Sequence, residues 1–140
     1  MTDLLQVARE VAMSYLGTPY IWGGDDPSGF DCSGFCIEIL QSVGLFPRGA
    51  DETASMLYDR YPQAQKGLLG CLVFYMAKTS SNIIHVEFCL GGGLSIGASG
   101  GGSSTTTIEK AMEQNAFIKI RPYDSRPRRA GFRDPFAEWR

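Results

Sequence analysis

GTPYIWGGDDPSGFDCSGF, residues 17–35, packs five glycines, four aromatics and one cysteine into nineteen positions. Glycines at this density let backbone approach a ligand, because no side chain stands in the way. The stretch then changes character. From Cys32 onward, Phe35, Cys36, Ile39, Leu40 and Val43 recur at the helical period, Gly44 suits the position just past a helix C-terminus, and Pro47 follows. Cys32 therefore stands where a glycine-rich loop enters a helix. Four roles are open to it: core thiol, metal ligand, half of a disulfide, or nucleophile.

Upstream, residues 3–16 carry Leu4, Ala8, Val11 and Tyr15 on one helical face, with Thr2 or Asp3 as cap and Gly17 and Pro19 as terminators. Downstream, Asp51 or Thr53 opens a short third helix that runs to Tyr61. The pattern then turns to short apolar runs, 71–76, 83–90 and 94–98, the last two joined by Gly91-Gly92-Gly93, which reads as a hairpin. Thr106 and Glu109 have capping-box spacing before a short helix through Gln114, and residues 116–121 read as a final strand. Helices first and strands after predict an α+β fold, with the N-terminal helices packed on an antiparallel sheet. GGGSSTTT, 100–107, is expected to be a mobile loop.

The chain has 140 residues and a formal net charge of −2. That length suits one domain, and nothing in the overall charge points to nucleic acid. Residues 121–140 nevertheless hold six arginines against three acids. They are expected to form a solvated arm docked on the body, with a patch for an anionic surface or partner as the sharper alternative. No run approaches the roughly 18 apolar residues that span a bilayer. The N-terminus lacks a basic segment followed by an apolar block, so no secretory signal is read there.

Four cysteines, at 32, 36, 71 and 89, lack the paired spacing of a zinc site, and there is no second histidine; neither a metal nor a cofactor is expected. Cys36, Cys71 and Cys89 read as small buried hydrophobes. His85 is the sole histidine, so any imidazole base must be His85. It alternates with Val86 and Phe88, which puts His85 and Glu87 on the opposite strand face. The unpaired N–H groups at the start of a helix favour a thiolate at Cys32. A thiolate with an adjacent imidazolium is the arrangement that cleaves amides.

The same nineteen residues resemble the signature of NlpC-type cysteine peptidases, papain-like enzymes that cut bacterial cell-wall peptides. The likeness continues through Pro47-Arg48, Gly70 to Phe74 and His85 to Leu90, covering roughly residues 4–99. The resemblance implies a papain-like fold with Cys32 as nucleophile at a helix N-terminus and His85 as base and acid. It also implies Tyr20 in the oxyanion hole beside the Cys32 amide, and Asp31 and Ser33, with Trp22, shaping the subsite for a peptidoglycan stem peptide. The implied bond lies between D-glutamate and a diamino acid. Members of the family usually carry a His, Asn or Gln about twelve residues after the catalytic histidine to hold its ring; here Gly97 occupies that place. Glu87, Ser95 and Ser99 are the candidates for that task. The readings to separate are an active wall endopeptidase, for which a phage lysin or tail component is the favoured setting, an inactive module that keeps the fold, and a papain-like amidase on another substrate. The whole chain, 1–140, reads as one such domain, made in the cytoplasm and acting on the wall after phage delivery, lysis or export by another route. Residues 121–140 lie outside the family core as an arm able to dock on a tail assembly.

Overall fold

A computed structural model describes residues 3–140. The first helix, α1 (Leu4–Ser14), is capped by Asp3, whose carboxylate accepts from the Leu5 N–H at 3.0 Å; Thr2, the other candidate cap, lies outside the described residues. A two-strand hairpin, β1 (Asp25–Asp26) and β2 (Gly29–Phe30), shapes the stretch read as plain loop. Ser28 turns it by bonding to the Asp26 side chain. Next come α2 (Cys32–Ser42) and α3 (Ala54–Arg60), the latter capped by Thr53 rather than Asp51.

The strands β3 (Gln63–Ala64), β4 (Leu72–Met76), β5 (Ile83–Gly91) and β6 (Leu94–Ser99) precede α4 (Ile108–Glu113) and β7 (Phe117–Pro122). The cap of α4 is Thr107, accepting from Lys110, one residue later than the capping-box spacing suggests. A single 3-10 turn, Tyr123–Ser125, leads into β8 (Arg129–Arg133). All eight strands pair antiparallel, and the main sheet runs β3-β8-β4-β5-β6-β7. This is the α+β architecture expected. No helix among the described residues is long and apolar enough to cross a membrane.

The arginine-rich stretch does dock on the body, but as a strand inside the sheet. β8 lies between β3 and β4, pairing Leu72 with Arg133 and Val73 with Phe132. Its apolar content is small, Ala130 and Phe132, and arginines flank both; their aliphatic stems and guanidinium faces do part of the packing. Arg133 lies 4.1 Å over the Tyr58 ring and Arg129 5.1 Å over Phe132. The chain end is then tied down by Arg140, which bonds Asp134 at 2.6 Å and the Leu69 carbonyl at 2.6 Å.

The sheet has two unlike faces. Leu72, Phe74, Val86, Phe88, Ile96, Ala98 and Ile118 point to the helices and form the main core with α2. The other face carries Cys71, Val73, Tyr75 and Cys89, closed over by Phe132 and Tyr123. Cys36, Cys71 and Cys89 are fully buried, as read from sequence, and all four thiols are free. Helix α2 is buried along nearly its whole length, from Cys32 to Leu40, with Phe35 packed edge-on against Phe30 and Tyr15. Truncating that ring leaves a cavity that neighbouring rigid aromatics cannot fill. Phe35→Ala is expected to cost about 3–5 kcal/mol of folding stability, read as a lowered urea midpoint at unchanged slope.

Candidate active site

The start of α2 meets the edge of β5. Asp31 caps the helix, its carboxylate accepting from the Gly34 N–H at 2.7 Å and from the Ser33 hydroxyl at 3.3 Å. Gly34 has no room for a side chain: a Cβ there would lie 2.2 Å from the Gly24 carbonyl oxygen. The glycine-rich loop is therefore clamped against the first turn of α2. Cys32 Sγ is 4.0 Å from the Ile84 carbonyl, and the Val86 N–H is directed at it. These groups flank His85 on both sides and lie on the β5 edge ahead of Phe88↔Ile96, where the ladder to β6 begins.

His85 and Glu87 share the strand face opposite Val86 and Phe88, as alternation requires. His85 Nε2 is 2.7 Å from Glu87 Oε2, with the glutamate 1% exposed. The same carboxylate accepts from Ser95 Oγ at 2.7 Å and from Arg121 at 3.1 Å. Of the three candidates for holding the ring, Glu87 touches it, Ser95 acts one step away through Glu87, and Ser99 is buried with no side-chain hydrogen bond among the described residues. Gly97 explains why a glutamate fits. A Cβ at Gly97 would lie 2.5 Å from Glu87 Cγ and 2.9 Å from Cδ. The side chain missing at 97 is the space that Glu87 fills.

Burial pushes the Cys32 thiol up to about 11 despite the Val86 and Ser33 N–H groups and the charge of Arg126. This corrects the expectation of a resting thiolate: in a water-excluded site, desolvation outweighs the pull of a helix start. Burial also lowers His85, and Arg126 and Arg121 push the same way, while Glu87 pulls it up without overcoming them. Burial alone would raise Glu87, but the bond from His85, the charges of His85 and Arg121, and Ser95 hold it at about 2. Glu87 is thus an anion that can only accept, so Nε2 of His85 carries the proton and Nδ1 is left as the free lone pair. The resting site holds a neutral thiol and a neutral imidazole whose Nε2 is bonded to Glu87.

Tyr20 is 5% exposed, and burial together with the charges of Cys32 and Asp31 raises its phenol well above the ordinary value. Its ring lies under Gly101, where a Cβ would come within 2.4 Å of it. The loop 100–107 is stitched down rather than free. Thr105 is fully buried; its carbonyl accepts from the Trp22 N–H at 2.7 Å and its hydroxyl from the Gly102 N–H at 2.9 Å. Asp31 is half-buried and Ser33 buried at the helix start, whereas Trp22 is exposed. Two site residues escaped the sequence reading, Arg121 and Arg126. Both belong to the stretch read as an arm, and no periodicity connects them to Cys32 or His85.

With this geometry in place, the likeness to known proteins is specific. The sequence pattern of the NlpC/P60 family matches residues 17–122. The chain belongs to the NlpC/P60 family. It is 40% identical over 99 residues to the Listeria grayi protein named "Probable endopeptidase p60", covering 69% of this chain and 18% of that protein. It is 35% identical over 120 residues to the gamma-DL-glutamyl hydrolase of Bacillus subtilis, covering 81% of this chain and 28% of the other. It is 37% identical over 87 residues to the gamma-D-glutamyl-L-lysine dipeptidyl-peptidase of the same organism, covering 56% and 27%. The chain thus spans less than a third of these relatives. Among solved structures, the NlpC/p60 domain of the peptidoglycan hydrolase SagA superposes with a TM-score of 0.68 at 26% identity, covering 93% of this chain and 97% of that domain. Family members are peptidases and peptidoglycan hydrolases, and the fold is the papain-like one.

Two outcomes are expected. Gly97→Ala forces Glu87 out of place; it should lower stability by about 1–3 kcal/mol in urea unfolding and reduce turnover as His85 loses its partner. Glu87→Gln removes the one upward pull on His85. The neutral base is present above the His85 pKa and lost as pH falls through it, so the acidic limb of kcat/KM should move to lower pH. Turnover should fall about 10- to 100-fold because the ring is less well held. A pH–rate profile of the two proteins checks both statements.

Proposed function

We propose that this chain is a cysteine endopeptidase that hydrolyses amide bonds of peptidoglycan stem peptides, with Cys32 as nucleophile and His85 as base. The observation that carries the reading is the placement of Cys32 against the two neighbours of His85, whose ring is held by a buried, ionised Glu87. Nδ1 of His85 takes the thiol proton as Cys32 attacks the carbonyl carbon. The resulting oxyanion is met by the Cys32 N–H and the Tyr20 hydroxyl. The imidazolium formed is stabilised by Glu87 and returns its proton to the leaving amine. Water, deprotonated by the same imidazole, then hydrolyses the thioester. Asp31 and Ser33 lie at the helix start beside Cys32 and, with Trp22, are assigned to the peptide's amino-terminal side. The relatives named for gamma-glutamyl bonds support a bond from the D-glutamate side chain to a diamino acid. Glu87 also weighs against an inactive module, since the vacancy at Gly97 is matched by a partner for His85.

The test is digestion of purified peptidoglycan of several wall types, with released fragments identified by mass spectrometry. Wild type should release fragments cut after D-glutamate. Cys32→Ala should release none, and His85→Ala should be slower by roughly 10²–10⁴-fold. Absence of Cys32-dependent cleavage on every wall type would sink the proposal.

A further inference from the structure

Two arginines reach the site from the C-terminal stretch, and they differ in what they meet. Arg121 is paired with Glu87 at 3.1 Å. Arg126 is half-buried and forms no ion pair among the described residues, whereas Arg60, Arg129 and Arg140 each have a carboxylate partner. Its guanidinium lies 5.5 Å from the Tyr75 ring centroid, and that ring lies 5.7 Å from the His85 ring. The charge of Arg126 acts on Cys32, Tyr20 and His85 together. The turn that carries it is fixed at both sides: before Arg126, Tyr75 Oη donates to the Tyr123 carbonyl at 2.6 Å and Ser125 Oγ to the Pro122 carbonyl at 2.7 Å; after it, the Arg128 carbonyl accepts from the Met76 N–H at 2.8 Å. Pro127 follows directly. A guanidinium partly removed from water, held in place and left without an anion, is a receptor for one.

We propose that Arg126 binds a carboxylate of the substrate peptide beside the scissile amide and so selects free carboxylates over carboxamides at that position. The peptide part of this statement rests on the peptidase reading above. The chemistry of a gamma-linked glutamate supplies such a group: its α-carboxylate lies four bonds from the carbonyl carbon under attack, roughly 5 Å when extended. A carboxylate on the leaving-side residue is the second source. Either would accept two N–H bonds from the planar guanidinium fork.

The first test needs no peptidase activity. Iodoacetate and iodoacetamide both read the Cys32 thiolate, but only iodoacetate carries a carboxylate, so the ratio of their rates at Cys32 isolates carboxylate recognition. The ratio should fall about 10-fold in Arg126→Gln and be largely kept in Arg126→Lys, with circular dichroism unchanged in both. An unchanged ratio in Arg126→Gln overturns the proposal. The second test uses four synthetic gamma-D-glutamyl peptides, with the α-carboxylate free or amidated and the leaving-side carboxylate free or amidated. Arg126→Gln should lose about 10- to 100-fold in kcat/KM, mainly through KM, on peptides bearing the recognised carboxylate and little on their amide counterparts. That contrast identifies which source is bound. Equal loss on all four assigns Arg126 to the thiolate instead and overturns carboxylate selection. Failure of wild type to cleave any of them counts against the peptidase reading, while the alkylation ratio still decides Arg126.

Discussion

The buried carboxylate of Glu87 is the constraint around which this site is arranged. A carboxylate this far from water is costly unless its oxygens are bonded, and Glu87 meets His85, Ser95 and Arg121 at once. Three different strands supply those partners, so the carboxylate fixes the relation of β5, β6 and β7 as well as the imidazole tautomer. The arrangement needs Gly97, since any side chain there would occupy the same space. What reads as a lost residue at 97 is one half of an exchange: the polar group that faces the histidine comes from its own strand instead of the next.

A second constraint is the entry of α2 against β5. Asp31, Gly24 and Gly34 hold the first turn tightly enough that Cys32 lies on strand backbone on either side of His85. Such closeness excludes water, and this is why the thiol rests protonated rather than as a thiolate. A resting neutral pair is compatible with thiol chemistry, because a base with a free lone pair needs to move one proton only as the carbonyl arrives. The other three thiols are fully enclosed in core or sheet face.

The C-terminal stretch joins fold and site. By entering the sheet as β8 it closes the face opposite the helices, and the turn leading to it carries Arg126 to the Tyr75 ring next to His85. Arg121, at the end of β7, neutralises the buried glutamate. Positive charge that looks like a solvated tail in one dimension is, in three, taken up in part by ion pairs to Glu87, Asp124 and Asp134, while Arg126 has no carboxylate partner among the described residues.

The elements themselves were largely legible in the chain. The 3.6 and 2 periods located α1 to α3 and β4 to β7 within a few residues, because burial of one face imposes those periods on the residues that pay for the core. Cys32 at a helix start and His85 alternating with Glu87 were also readable, being properties of position along an element. Three things were not. β8 is masked because arginine stems and ring faces do the work of aliphatic residues, leaving Ala130 and Phe132 as the apolar signal. The anchored loop around Thr105 reads as mobile because its bonds go to Trp22 and Gln114, distant in sequence. The partner of His85 was only one of several candidates, since strand alternation puts Glu87 on the right face but cannot say what stands across from it. Sequence alone determined which residues could act and which face each occupied. Tertiary structure decided which of them meet and in what charge state, because proximity across strands and exclusion of water exist only once the chain has closed on itself.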